Sequence, residues 1–146
     1  MLIESESIKP PKSLEELAEY CEVVLSASRY VATTTGRVRN LAILVGNKVS
    51  ISLPLNHENE EAVQRLKMAA RSLGCIIYIL DAYVAGDYSL MVLGYTPSFK
   101  IHLRNFLTAG PDGRVVDAAP TYEIGEAAGA EFLDPWRNER VTGVIQ

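Results

Sequence analysis

Cysteine and histidine are scarce in this chain, which has two of each among its 146 residues. Neither Cys21 nor Cys75 belongs to a CxxC motif, and neither lies at a spacing from a histidine that is typical of zinc sites. This excludes a disulfide framework and a local zinc motif. Both cysteines stand among apolar residues, so we expect buried thiols in a reducing compartment.

Long apolar runs are also missing. The longest apolar-rich stretch, Cys75 to Ala85, contains Asp81 and is far shorter than the roughly 20 residues that a membrane-spanning helix needs. The stretch from Met1 to Lys12 has no basic segment followed by an apolar run, so it lacks the pattern of a signal peptide. We therefore expect a cytoplasmic protein without a membrane segment.

The motifs of catalysis and cofactor binding are absent. The chain lacks the phosphate loops GxxxxGKS/T and GxGxxG, the GxSxG nucleophile turn and the HExxH zinc helix. One local cluster, His57 beside Glu58, Glu60 and Glu61, is typical of a helix start whose acids complement the helix dipole. We predict no cofactor, no metal and no catalytic residue, and we expect a non-enzyme rather than an enzyme.

Length and composition indicate one globular domain. Hydrophobic residues make up 48% of the chain and charged residues 22%, which is ordinary for a folded protein. A chain of this length is long enough to bury a single core. We predict an N-terminal tail over residues 1–12, one domain over 13–130, and a C-terminal tail or docking segment over 131–146.

Charge is distributed unevenly along the chain, although the formal net charge is only −4. All six acids before residue 23 are glutamates, whereas residues 23–57 contain no acid. The basic residues of that second stretch are Arg29, Arg37, Arg39 and Lys48. Such blocks either create a patch of one sign or cancel across the folded surface.

Two segments have the periodicity of amphipathic helices. Ser13 and Glu16 form a capping box at the start of the first helix, and Thr33 to Gly36 end it. Its apolar positions repeat at helical spacing: Leu14, Leu17, Ala18, Cys21, Val24, Leu25, Ser28, Val31 and Ala32. The second helix follows the predicted cap Asn56 and ends at Gly74. Its apolar stripe is Val63, Leu66, Ala70 and Leu73.

The remaining segments have the composition and alternation of β-strands. They are Val38 to Val45, Lys48 to Leu55, Cys75 to Ala85, Tyr88 to Tyr95, Phe99 to Leu107, Arg114 to Ala118 and Tyr122 to Ile124. Gly46-Asn47 and Gly86-Asp87 are predicted hairpin turns. We predict an α+β fold in the order α-β-β-α-β-β-β-β, with an antiparallel sheet of about five to seven strands and both main helices on one face. This order is similar to that of roadblock-like and profilin-like domains, a likeness that implies no functional residue.

A basic strand face is the first candidate binding feature. Alternation places Lys100, His102 and Arg104 on one side of a strand, about 7 Å apart from one to the next. Arg37 and Arg39 are predicted to extend this face. Such spacing suits phosphates or an acidic partner. The alternative is a solvated sheet face whose charges discourage edge-to-edge aggregation.

Asp81 is a second candidate, because it interrupts the most apolar predicted strand. Alternation places it on the same side as Ile77 and Ile79. A carboxylate there faces solvent, marks a bulge, or is buried with a partner and then becomes a candidate functional acid. We favour an exposed strand end or a structural hydrogen bond.

Trp136 is the only tryptophan, and arginines flank it in the C-terminal stretch. It is interpreted either as an interface anchor or as a side chain that folds back over the edge of the core. Docking of this stretch onto a second copy would produce self-association.

These features predict a non-catalytic binding or assembly protein that makes protein-protein contacts, including self-association, through its sheet face and C-terminal segment. One alternative is a nucleic-acid or phosphate-ligand binder that uses the basic strand face. The other is a small enzyme in which Asp81 works with His57 or His102.

Overall fold

Two α-helices and an antiparallel sheet make up the fold in the computed structural model, which describes residues 2–5, 7–125 and 129–139. The elements are β1 (Leu2–Glu4), α1 (Leu14–Thr35), β2 (Leu41–Gly46), β3 (Val49–Pro54), α2 (Glu60–Leu73), β4 (Ile76–Val84), β5 (Asp87–Tyr95), β6 (Lys100–Ala109), β7 (Val115–Ala118), β8 (Glu123–Ile124) and a 3-10 turn, Glu131–Leu133. The α+β class is confirmed, and the order of the elements matches the prediction apart from two additional strands. The edge strand β1 precedes the predicted order, and β8, a fifth strand after α2, follows the four of that order.

The sheet has eight strands in the spatial order β1-β3-β2-β4-β5-β6-β7, and β8 pairs with β6 beside β7. The long hairpin of β4 and β5 forms its centre, with pairs running from Ile76↔Tyr95 to Val84↔Asp87. The turn of this hairpin consists of Ala85 and Gly86, both with positive φ, so it lies one residue before the predicted position. The turn between β2 and β3 lies one residue after its predicted position.

The helices begin and end through local hydrogen bonds. The Ser13 side chain accepts a hydrogen bond from the Glu16 amide at the start of α1, as predicted, and Gly36 ends the helix in the left-handed conformation. The cap of α2 is Asn59, which accepts from the Ala62 amide, rather than the predicted Asn56. Asn56 instead accepts from the Glu58 amide in the preceding turn.

The two helices pack on opposite faces of the sheet. Leu17 and Leu25 of α1 form a buried cluster with Ile77, whereas Leu66 of α2 belongs to a cluster with Tyr78. Consecutive residues of a strand point to opposite faces. The prediction that both helices lie on one face is therefore wrong.

The composition of the central strands explains this arrangement. Every residue from Ile76 to Leu80 is buried, so β4 has apolar side chains on both of its faces. A strand with two apolar faces needs cover on each side, and one helix supplies it on each side here.

The C-terminal residues 129–139 cover the α2 face of the sheet. The Tyr78 hydroxyl donates a hydrogen bond to the Leu133 carbonyl at 2.7 Å, and the Arg71 Nε donates to the Pro135 carbonyl at 2.8 Å. Trp136 is only 5% exposed and lies in the same buried cluster as Tyr78. Residues 133–136 of this segment are therefore part of the buried core, whereas residues 137–139 are exposed.

Candidate functional site

The first helix covers only part of its sheet face, because it lies toward the β7 edge. It packs mainly against β5, β6 and β7. The Arg29 guanidinium holds it there by donating to Asn105 Oδ1 at 3.0 Å and to the Pro120 carbonyl at 3.3 Å. On the same side, the Tyr122 hydroxyl donates to the Glu22 carboxylate. On this face, α1 makes much less contact with β4 than with β5, β6 and β7.

An apolar groove runs between α1 and β2, and we call it the α1 groove. Two adjoining cavities of about 280 Å³ and about 500 Å³ form it, and both are lined by Val23, Val24 and Ile43. Ala27 and Leu41 add further apolar surface to the smaller cavity. The groove is thus built from one flank of a helix and the uncovered part of a sheet face.

At the rim of the groove, α1 exposes an apolar stripe, of which two residues, Val23 and Ala27, also line the groove. Val23, Ala27 and Tyr30 follow one another at helical spacing, and Val23 and Tyr30 are each 70% exposed. The apolar positions predicted for this helix from the sequence do not include Val23, Ala27 or Tyr30. The signal was present, because these three apolar residues stand at positions i, i+4 and i+7.

The two ends of the α1 groove carry opposite charges. Glu19 lines the larger cavity, beside the N-terminal half of α1, and Arg39 lines the smaller cavity, which extends along α1 as far as Val31. Both charged side chains are exposed. Within the described part of the chain, neither makes an ion pair or a side-chain hydrogen bond.

Asp81 has a partner on its own sheet face. It is half-buried and accepts a hydrogen bond from the Tyr88 hydroxyl across the β4–β5 hairpin. The Tyr83 ring stacks on Tyr88 with the ring centroids 5.0 Å apart. Burial raises the pKa of Tyr88, and its hydrogen bond to Asp81 raises that pKa further, so the phenol stays a donor at neutral pH. Of the alternatives considered for Asp81 from the sequence, the structure therefore shows the hydrogen bond to a neighbouring side chain.

Comparisons with protein-family models, curated proteins and solved structures find no match for this chain. None of the described helices is long and apolar enough to cross a membrane. We therefore infer the function from the shape, polarity and charge of the molecule alone.

The predicted basic strand face does not form one exposed surface. Lys100 is exposed, but His102 is buried and its Nε2 lies 3.0 Å from the Tyr95 hydroxyl oxygen. Arg104 pairs with Glu123 at 2.8 Å, and its guanidinium carbon lies 4.9 Å from the centre of the Phe106 ring.

The remaining predicted basic residues lie elsewhere. Arg39 borders the α1 groove, and Arg37 is exposed in the loop after α1. Alternation along β6 places Lys100, His102 and Arg104 on the α2 face instead. The five basic residues therefore do not converge.

The residues considered for catalysis or metal binding do not converge either. Asp81 lies on the α1 face, whereas His57 lines a small cavity of about 190 Å³ beside α2. The described residues contain no group of three or more His, Cys, Asp or Glu side chains that could hold a metal ion. Cys21 and Cys75 are fully buried, and burial raises the pKa of each thiol to about 12. Such thiols are poor nucleophiles at neutral pH.

Proposed function

We propose that this protein is a non-catalytic binding protein whose α1 groove docks a polypeptide that has an apolar helical face and a charge of each sign at its ends. The exposed stripe Val23, Ala27 and Tyr30, which forms the rim of the apolar groove, carries this proposal. Apolar surface that is rimmed by polar groups marks protein-contact sites. Packing of an amphipathic helix into such a groove is a common mode of recognition.

The polarity of the groove favours a polypeptide over a small molecule. Sites for small ligands are concave and direct several polar groups at one point. In the α1 groove the charged side chains instead lie at the two ends, Glu19 and Arg39, with apolar walls between them. Charges at both ends of an apolar surface define the orientation and register of a long partner.

The chemistry around the groove supports a binding role rather than a catalytic one. Both thiols are buried, and Asp81 is already bonded to Tyr88. His57 and His102 lie on the α2 side of the molecule, away from Asp81.

A photo-crosslinking amino acid placed at Val23, in the cells that make the protein, tests the proposal. We expect an adduct of one discrete mass, which disappears when Ala27→Glu places a charge in the same stripe. The matched control is the same probe at Met68, which is 68% exposed on α2. Identical adducts at both positions, or adducts that survive Ala27→Glu, would show that the groove is not a docking surface.

A further inference from the structure

We propose that the polypeptide in the α1 groove is a second copy of this chain, bound antiparallel about a two-fold axis close to Val24. This inference rests on the proposed function, because it names the partner of the same groove. The stripe on α1 of each copy packs into the groove of the other.

The first helix carries both halves of such an interface. Its Val24 and Val31 side chains line the groove, Val23 lines the groove while remaining 70% exposed, and Tyr30 is 70% exposed about two helical turns further along. A two-fold interface needs one surface that is complementary to itself, so that residue i contacts j and j contacts i. A helix that supplies a wall of the groove and an outward apolar stripe meets this requirement.

The charges at the ends of the groove favour the antiparallel arrangement. Antiparallel pairing brings Glu19 of each copy toward Arg39 of the other, which makes two attractive pairs. Parallel pairing would bring the glutamates together and the arginines together. The sequence follows the same pattern, with glutamates before residue 23 and no acid from residue 23 to 57. Complementary charges of this kind select orientation.

The spacing of the charges agrees with an axis near Val24. Glu19 precedes Val24 by five residues, or about 7 Å along the helix. Arg39 lines the cavity that extends along α1 from Val23 to Val31, and Val31 follows Val24 by roughly 10 Å along the helix. The two cavities of the groove therefore extend along α1 to either side of Val24. A two-fold rotation about an axis near Val24 places the Glu19 end of the groove in one copy over the Arg39 end in the other copy.

A charge-reversal cycle tests this inference on the full chain. The dissociation constant of the dimer is measured by sedimentation equilibrium for the wild type, Glu19→Arg, Arg39→Glu and the double variant. We expect each single reversal to raise the dissociation constant about tenfold or more, because two attractive pairs become repulsive. The double variant restores opposite charges, and its dissociation constant is expected to lie within about threefold of the wild-type value. The control Glu15→Arg reverses an exposed charge on the same helix outside the α1 groove.

Two results would overturn the inference. One is a wild-type chain that stays monomeric at every concentration, and the other is a double variant that is not restored. The probe at Val23 separates this failure from failure of the proposed function. A discrete adduct whose mass is not that of a dimer would leave the docking function intact with another partner. A monomer without any adduct at Val23 would contradict both proposals.

Discussion

Gly94 of β5 lies directly against Cys21 of α1. A Cβ placed on Gly94 would be 2.5 Å from the Cys21 Sγ and 3.0 Å from the Leu17 Cδ1. Real Cβ atoms essentially never approach other atoms as closely as 2.5 Å, so α1 lies this close to the sheet because position 94 has no side chain.

Replacing this glycine is expected to destabilise the protein. Gly94→Ala forces α1 away from β5 and should lower the free energy of unfolding by about 1–3 kcal/mol, as other overpacked cores do. Urea titration measures the change. The control Gly125→Ala adds a Cβ that meets nothing within 4 Å, and it should change stability by less than about 0.5 kcal/mol. Equal effects of the two substitutions would contradict the close contact at Gly94.

The buried thiols are expected to be unreactive in the folded protein. Cys21 and Cys75 are both 0% exposed, and burial raises the pKa of each to about 12. Ellman's reagent at pH 8 should therefore detect no thiol in the native protein and two thiols after unfolding in guanidinium chloride. A thiol that reacts at once in the native protein would contradict this burial.

The same thiols predict a loss of stability at alkaline pH. Their pKa is about 12 in the folded state and 9.0 as the reference value. Above pH 9 the unfolded chain releases these protons while the folded chain keeps them. Stability is therefore unchanged below pH 9 and falls as the pH rises toward 12, with a limiting slope of about 1.4 kcal/mol per pH unit for each thiol.

Removing the thiols tests whether they cause stability to fall as the pH rises above 9. The variant with both Cys21→Ala and Cys75→Ala should lose stability less steeply than the wild type between pH 9 and pH 10, whatever its absolute stability. Urea titrations at several pH values in this range give both slopes. Parallel pH profiles would show that the thiols are not the groups that titrate.

Trp136 is expected to act on stability rather than on assembly. It is 5% exposed in the α2 cluster, so Trp136→Ala should lower the free energy of unfolding by about 3–5 kcal/mol and leave the dimer dissociation constant unchanged. Phe132 is 42% exposed in the same segment. Phe132→Ala should therefore lower the free energy of unfolding by less than half as much as Trp136→Ala does. A Trp136→Ala variant of wild-type stability but altered molar mass would instead identify Trp136 as an interface residue.

Patterns of neighbouring residues predicted where the helices lie along the chain, but not the sheet face on which each helix packs. The Ser13 cap and the glycine at position 36 depend only on neighbouring residues, and both are found as predicted. The Glu16 carboxylate, however, accepts from the Lys12 amide rather than from the Ser13 amide. The face on which each helix packs depends on distant contacts. Gly94 beneath α1 is one such contact, and Gly46 is another, since a Cβ there would lie 2.6 Å from Leu73 of α2. The consecutive apolar residues Ile76 to Leu80 already indicated a strand that is covered on both faces.

The candidate site was harder to predict, because alternation gives the face of a residue but not its exposure. His102 lies on the same face as Lys100, as predicted, yet it is buried while Lys100 is exposed. Its neighbour Tyr95 comes from the adjacent strand. The α1 groove arises because Arg29 and Tyr122 hold α1 toward β7, and their partners lie about 80 to 100 residues away along the chain. A pattern along one helix does not contain that information.

The molar mass of the protein in solution, with and without a charge at Val23, tests the role of the α1 groove most directly. Light scattering should give twice the chain mass of 16.0 kDa for the wild type and the chain mass itself for Val23→Glu. Met68→Glu, on the opposite side of the molecule, should remain dimeric, and circular dichroism should show that both variants are folded. A folded Val23→Glu variant with the same molar mass as the wild type would contradict assembly through the α1 groove.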